Sequence, residues 1–324
     1  MSLLIGDIGG TYTRLRLVEP RGRHFETLCE SRYESGSYEC FDGLLADFLN
    51  HCGERPSAAC LGVAGPVQDE DGRQRVETTN LPWRLDSEAL ARETGVRPFA
   101  LINDFEAVGH ALDGLSADQL ACLQAGEPRP GGLRALIGAG TGLGQALLCP
   151  LDGDDRVIPT EGGHMDFAPQ TPLQWQLAEA LRERHGHVSV ERLASGPGLA
   201  FIYEFLNDRE TGGGERPDPA WISRQALEQG DAVALAALDE FTAIYGAQAG
   251  NLALACLPFG GLYVAGGIAP RLHSERFDRA FMAAFLAKGR MEPLLRRIPV
   301  HIVLHPDPGL LGAARLAARL GSAC

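Results

Sequence analysis

The chain of 324 residues is 45% hydrophobic, carries a formal net charge of -13 and has one lysine, Lys288. Without a basic tract, nucleic acid and anionic membrane surfaces are excluded as natural partners. No apolar run nears the roughly 20 residues of a membrane span, and Lys288 fits neither a Gly-Lys-Ser/Thr phosphate loop nor a protein-kinase strand lysine.

In chain order, Leu3 to Ile8 reads as a buried strand and not a signal peptide, since it has no basic leader and Asp7 interrupts it. Gly9-Gly10-Thr11 is a turn, and Tyr12 to Val18 alternates as a second strand. His24 to Tyr33 is a third strand. Phe41, Leu44, Leu45 and Phe48 mark an amphipathic helix. Ala58 to Val63 is a strand, and Asp86 to Glu93 a helix capped by Asp86 or Ser87. The apolar run Phe99 to Ile102 then stops at Asn103 and Asp104, where a helical pattern of Phe105, Val108 and Leu112 begins. Such turns at the C-terminal ends of strands are where α/β proteins place ligands. A helix cap explains Asn103 or Asp104 equally well at this point.

Gly126 to Gly132 is a plausible domain crossing. A second strand–glycine turn–strand follows: Leu133 to Ile137, then Gly138 to Gly144, then Gln145 to Cys149. Val157 to Thr160 is extended and leads into Glu161-Gly-Gly-His164. Leu173 to Arg184, Gly198 to Leu206 and Asp231 to Leu257 are helical, with Asn207 to Pro219 a surface loop. Leu262 to Ala265 is a strand entering Gly266-Gly267. A helix from Arg276 to Leu286, a strand from Val300 to Leu304 and a helix from Gly309 to Leu320 complete the pattern. The eight cysteines form no Cys-x-x-Cys, and read as small buried hydrophobes of a reducing compartment.

Both glycine turns suit a phosphate cradle, because glycine lets backbone N–H groups approach an anion and each turn adds a threonine hydroxyl. A glycine-rich hairpin is the plain alternative for either turn alone. A dinucleotide fold is disfavoured, since Gly138, Gly140 and Gly142 lead into a strand and not a helix. If the first turn binds polyphosphate, Asp7 needs Mg²⁺ between its carboxylate and the phosphates, directly or through water. Asn103, Asp104, Glu161, His164 and Glu191 form an acceptor-rich set suited to a polyhydroxyl ligand.

Gly6-Asp-Ile-Gly-Gly-Thr11, Leu101-Ile-Asn-Asp-Phe105, Gly140-Thr-Gly-Leu-Gly144, Glu161-Gly-Gly-His-Met-Asp-Phe-Ala-Pro169, Glu191 to Gly198, Gly250 to Leu254 and Val264 to Arg271 run in order over nearly the whole chain. This series resembles the bacterial glucokinase family. The resemblance implies an α/β, two-domain actin/hexokinase-like (ribonuclease H-like, duplicated) fold with an interdomain cleft. Its small domain would comprise residues 1–112 and 305–324, its large domain residues 113–304. It also implies a cytoplasmic homodimer that uses ATP and Mg²⁺, without zinc, to make glucose 6-phosphate.

By the same resemblance, Asp104 is the base for the sugar 6-hydroxyl, and Asn103, Asp104, Glu161, His164 and Glu191 hold glucose. Gly6, Asp7, Ile8, Gly9, Gly10, Thr11, Gly140, Thr141 and Gly142 clamp the phosphates, Gly266 and Gly267 lie beside the adenosine, and Asp7 is the Mg²⁺ residue. Tyr12 departs from the asparagine common at its position. The alternatives are a kinase for another hexose or amino sugar, or a non-catalytic sugar-responsive regulator. The regulator would need a DNA-binding segment, for which there is no room before the first strand.

Overall fold

The computed structural model describes residues 1–22, 24–78, 81–151, 154–211 and 217–322. The chain divides into two compact units, Met1–Ser116 with His305–Cys324, and Ala117–Leu304.

The first unit opens with β1 (Leu3–Ile8), β2 (Tyr12–Arg21) and β3 (His24–Glu34), then α1 (Phe41–Cys52) and β4 (Ala58–Val63). Three short strands follow, β5 (Val67–Glu70), β6 (Arg73–Glu77) and β7 (Arg84–Asp86), then α2 (Ser87–Thr94), β8 (Phe99–Asn103) and α3 (Asp104–Ala111). The main sheet has the order β3-β2-β1-β4-β8, with β1, β4 and β8 parallel and β2 and β3 antiparallel. β4 is buried at every residue, as a parallel strand covered on both faces must be.

The second unit contains β9 (Leu120–Gln124), β10 (Arg134–Ala139), β11 (Leu143–Leu151), β12 (Asp154–Thr160), α4 (Pro172–His185), α5 (Gly196–Thr211) and α6 (Pro219–Arg224). It continues with α7 (Ala232–Cys256), β13 (Gly261–Ala265), α8 (Ala269–Leu272), α9 (Glu275–Leu286), α10 (Glu292–Leu295) and β14 (Val300–Val303). Its sheet runs β12-β11-β10-β13-β14-β9. Apart from the added edge strand β9, this repeats the order and strand directions of the first unit.

The final helix, α11 (Pro308–Ser322), belongs to the first unit. Its apolar stripe of Leu310, Ala313, Ala314 and Ala317 packs on Leu3, Ile5, Cys60, Ala100 and Ile102 of the sheet, together with Ala107 of α3. Leu4, Ile8, Leu15 and Leu61 on the other face pack with Phe41, Leu44 and Phe48 of α1. The two units therefore have separate cores, the second built around α7, whose Phe241 and Tyr245 are fully buried.

Three sequence expectations change. Strands β5, β6 and β7 are absent from the sequence reading because their charged residues hide any apolar alternation. The Asp71-Gly72 pair was the available signal: both residues have positive φ (52° and 85°), and such a pair favours a tight hairpin. The loop expected from Asn207 begins later, since α5 continues to Thr211 before the first glycine; residues 212–216 lie outside the described residues. The cysteines are not uniformly buried thiols. Cys29 of β3 and Cys52 of α1 form a disulfide, their Cα atoms 6.0 Å apart, and Cys40 and Cys122 are exposed. Their meeting depends on how β3 and α1 pack, which the local sequence does not reveal. No helix of the described residues is long and apolar enough to cross a membrane.

Candidate active site

In the first unit the glycine turn joins β1 to β2. Gly9 N–H donates to the Tyr12 carbonyl at 3.0 Å. The buried Ser35 holds the turn from β3: its N–H donates to the Thr11 carbonyl at 3.0 Å, and its hydroxyl to the Gly9 carbonyl at 2.8 Å. The Gly10 and Thr11 N–H groups make no hydrogen bond among the described residues. The turn is thus fixed through its carbonyls and retains two successive unpaired donors.

Asp7 is the exposed residue of an otherwise buried β1, and its register partner on β2 is Arg14. Although its side chain reaches solvent, dense surrounding protein raises its pKa by desolvation; Arg14 opposes the shift and Asp307 adds to it. Arg14 donates to Asp307 at 2.6 and 3.1 Å and to Glu30 at 3.2 Å. Arg16 also reaches Asp307, at 2.9 Å. Burial alone would raise the Asp307 carboxyl, but the hydrogen bonds from Arg14 and Arg16 bring it below its ordinary value. This network fixes the start of α11 against β2.

Asn103 ends β8 with extended backbone, and its Oδ1 accepts from Phe105 N–H at 2.9 Å and Glu106 N–H at 3.2 Å, capping α3. Its Nδ2 donates to the Gly65 carbonyl at 3.1 Å. Asp104 is the first residue of α3, half-buried, with Oδ1 accepting from Phe105 N–H at 2.9 Å. Asn103 is therefore the main cap, and Asp104 is held at the same strand-to-helix turn.

In the second unit, Gly140 N–H donates to the Gly142 carbonyl, and the Gly140 carbonyl accepts from Gly196 N–H at the start of α5, both at 2.8 Å. The Thr141 and Gly142 N–H groups make no hydrogen bond among the described residues. Both glycine turns share this arrangement of engaged carbonyls and adjacent unpaired N–H groups. Such backbone donors suit an anion.

Beside the second turn, Glu191 Oε2 accepts from Leu143 N–H at 2.9 Å, while Oε1 lies 3.8 Å from His164 Nδ1. His164 Nε2 is 3.8 Å from Glu161 Oε2. His164 thus lies between two carboxylates, with Glu161 the more exposed and Glu191 the more enclosed. The short helical turn after Glu161 lies against β11, and a Cβ at Gly163 would overlap the Leu143 carbonyl. Glycine is required there by space alone. Gly266 follows β13 at φ 83° against the Ala139 carbonyl, while Gly267 is exposed with open space around its Cα.

Within the first unit Gly6 to Thr11, Asn103 and Asp104 all lie at the ends of parallel strands β1 and β8. Within the second, Gly140 to Gly142, Glu161, His164 and Glu191 converge, and Gly266 follows the neighbouring strand. The sequence reading missed Ser35, the Leu143 N–H and the Arg14–Asp307 pair. Arg14 was visible as a polar residue on an alternating strand, but its partner lies 293 residues away.

A duplicated five-strand order, each copy opened by a clamped glycine turn, defines the class: an actin/hexokinase-like phosphotransferase fold. The glucokinase family model matches residues 4–320. The chain belongs to the glucokinase family of enzymes. It is 43% identical to a glucokinase of a Nostoc species, over 98% of this chain and 99% of that one. A glucokinase structure from an Antarctic psychrotroph is 31% identical with a TM-score of 0.82, covering 98% of this chain and 99% of that chain. The Balamuthia mandrillaris glucokinase, solved with glucose, shares the fold at TM-score 0.82 and 22% identity, with 98% and 93% of the chains covered.

Proposed function

We propose that the chain transfers the terminal phosphoryl group of ATP to the 6-hydroxyl of glucose, with Asp104 as the base. The observation that carries this reading is the pair of glycine turns, each with its carbonyls engaged and two adjacent N–H groups unpaired. Phosphoryl transfer needs positioning and charge stabilisation more than covalent chemistry. Backbone N–H groups of Gly10, Thr11, Thr141 and Gly142 supply that stabilisation in a chain with one lysine.

Glu161, His164 and Glu191 hold sugar hydroxyls, the two carboxylates accepting and the imidazole donating or accepting according to tautomer. Asn103 contributes its remaining amide proton, since its carbonyl caps α3 and its other proton goes to Gly65. Asp104 accepts the hydroxyl proton. Gly266 and Gly267 border the adenosine, and the open space at Gly267 suits a close ligand approach.

Asp7 fits Mg²⁺, because its carboxylate is exposed near the end of β1, just before the turn whose N–H groups would hold phosphate, and Mg²⁺ typically uses one or two carboxylates together with substrate phosphates. When bound, Mg²⁺ neutralises phosphate charge. We also infer a homodimer from the family resemblance, to be read by light scattering.

The test is a coupled ATP-consumption assay over a sugar panel, with Asp104→Asn alongside. Glucose should be the preferred substrate. The variant should still bind glucose and lose at least the ~10²–10⁴-fold in turnover typical of a missing general base. Near-wild-type turnover would sink the assignment of Asp104, and much faster phosphorylation of fructose or an amino sugar would redirect the specificity.

A further inference from the structure

Along the β2–β3 ladder, Arg14 and Arg16 meet Asp307 and Glu30, and Arg21 meets Glu19 and Glu26. Arg32 has no such match: among the described residues its guanidinium meets no carboxylate. It lies instead over the Tyr12 ring, 3.7 Å from the centroid. Tyr12 directly follows Thr11 and is 40% exposed, so its ring is a platform at the edge of the first glycine turn. Ser35, three residues beyond Arg32, ties that end of β3 to the Gly9 and Thr11 carbonyls.

Arg32 is the register partner of Arg14, so paired residues put both guanidiniums on the sheet face that also carries Asp7. Arg14 is already neutralised by Asp307 and Glu30, which leaves Arg32, among the described residues of this face, as the cation with unspent charge. Glu34, paired with Tyr12 on the ladder, is exposed and makes no ion pair among the described residues. An exposed cation–π contact is weak and leaves the guanidinium edge available to an anion. A planar guanidinium matches phosphate geometry well.

We propose that Arg32, oriented by Tyr12, is a ligand for the phosphoryl anion bound at the Gly9–Thr11 turn. This rests on reading that turn as a phosphate site. The anion is either the terminal phosphate of the nucleotide or the phosphoester of the sugar product, and the two can be separated by titration.

Isothermal titration of wild type, Arg32→Gln, Tyr12→Phe, Tyr12→Ala and Thr11→Ala with a non-hydrolysable ATP analogue plus Mg²⁺, and separately with glucose 6-phosphate, tests the proposal. Arg32→Gln should weaken one anion by about 2- to 5-fold, the range for an exposed ion pair, with glucose affinity unchanged. Tyr12→Phe keeps the ring and should match wild type, while Tyr12→Ala should reproduce part of the loss. A loss confined to the ATP analogue assigns the nucleotide phosphate, and one confined to glucose 6-phosphate assigns the product. Unchanged affinity for both anions in Arg32→Gln overturns the role of Arg32. If Thr11→Ala weakens binding in that case, the phosphate turn stands without Arg32; if wild type itself binds neither anion, the reading of the turn fails.

Discussion

Glu191 is bonded to the backbone of Leu143: its Oε2 accepts that N–H at 2.9 Å, directly beside the second glycine turn. A Cβ on the neighbouring Gly142 would come within 2.6 Å of the same oxygen. The carboxylate proposed for sugar and the turn proposed for phosphate therefore form one mechanical piece. Gly142→Ala should displace Glu191 and raise the glucose KM about 10-fold or more, in keeping with the cost of an ångström-scale misplacement. Steady-state kinetics would check this, and an unchanged glucose KM would separate Glu191 from sugar binding.

Asn103 has a structural duty and a proposed ligand duty, which substitution can separate. Asn103→Ala removes the α3 cap and should cost roughly 1 kcal/mol of stability, typical of a lost N-cap. Asn103→Asp keeps an acceptor for Phe105 and Glu106 N–H but loses the donor to Gly65. It should melt near wild type while turning over more slowly. Calorimetry paired with kinetics would show whether the two effects divide in this way.

Asp86 predicts an acid limb in the stability curve. Its carboxyl is held at about 2, chiefly by the Arg73 guanidinium, with Ala89 N–H and Arg75 assisting. The unfolded chain, with an aspartate pKa near ~3.9, binds more protons between the two values. The contribution is complete above about pH 4 and is lost as pH falls toward 2. Because Arg73 is substantially exposed, screening limits it to roughly 1 kcal/mol. Urea unfolding of Asp86→Asn across this range should show a flatter pH dependence than wild type.

The Cys29–Cys52 disulfide closes a short loop, its ends 23 residues apart in sequence. A bridge of that span stabilises by roughly 3 kcal/mol. Reductant should lower the melting temperature of the wild-type protein and leave Cys29→Ser unmoved. Thiol titration in denaturant should find two fewer thiols before reduction than after it. Equal thiol counts would mean that the bridge does not form.

The parts legible in the sequence are those with short-range signals. Gly6 to Thr11 and Gly138 to Gly144 announced the two sheet openings, and the abrupt stop at Asn103 announced the start of α3. The family resemblance supplied the chemistry. What escaped was set by contacts between distant residues or by surface strands. Ser35 reads as an ordinary turn serine until β3 returns it to Gly9, and Arg14 reads as a solvated alternant until Asp307 arrives from α11. Polar strands β5 to β7 bury few side chains, so hydrophobic periodicity could not reveal them. The Cys29–Cys52 pairing likewise follows only from how α1 packs.

Gly312 of α11 lies so close to α3 that an added Cβ would overlap the Ala107 carbonyl. The helix beginning with Asp104 is therefore backed by residues that leave the ribosome only after all of Ala117–Leu304 has been made. All of the second unit's residues precede α11 in the chain, whereas the first unit is incomplete until α11 is made. A nascent chain consequently carries Glu161, His164 and Glu191 before the helix begun by Asp104 gains its backing.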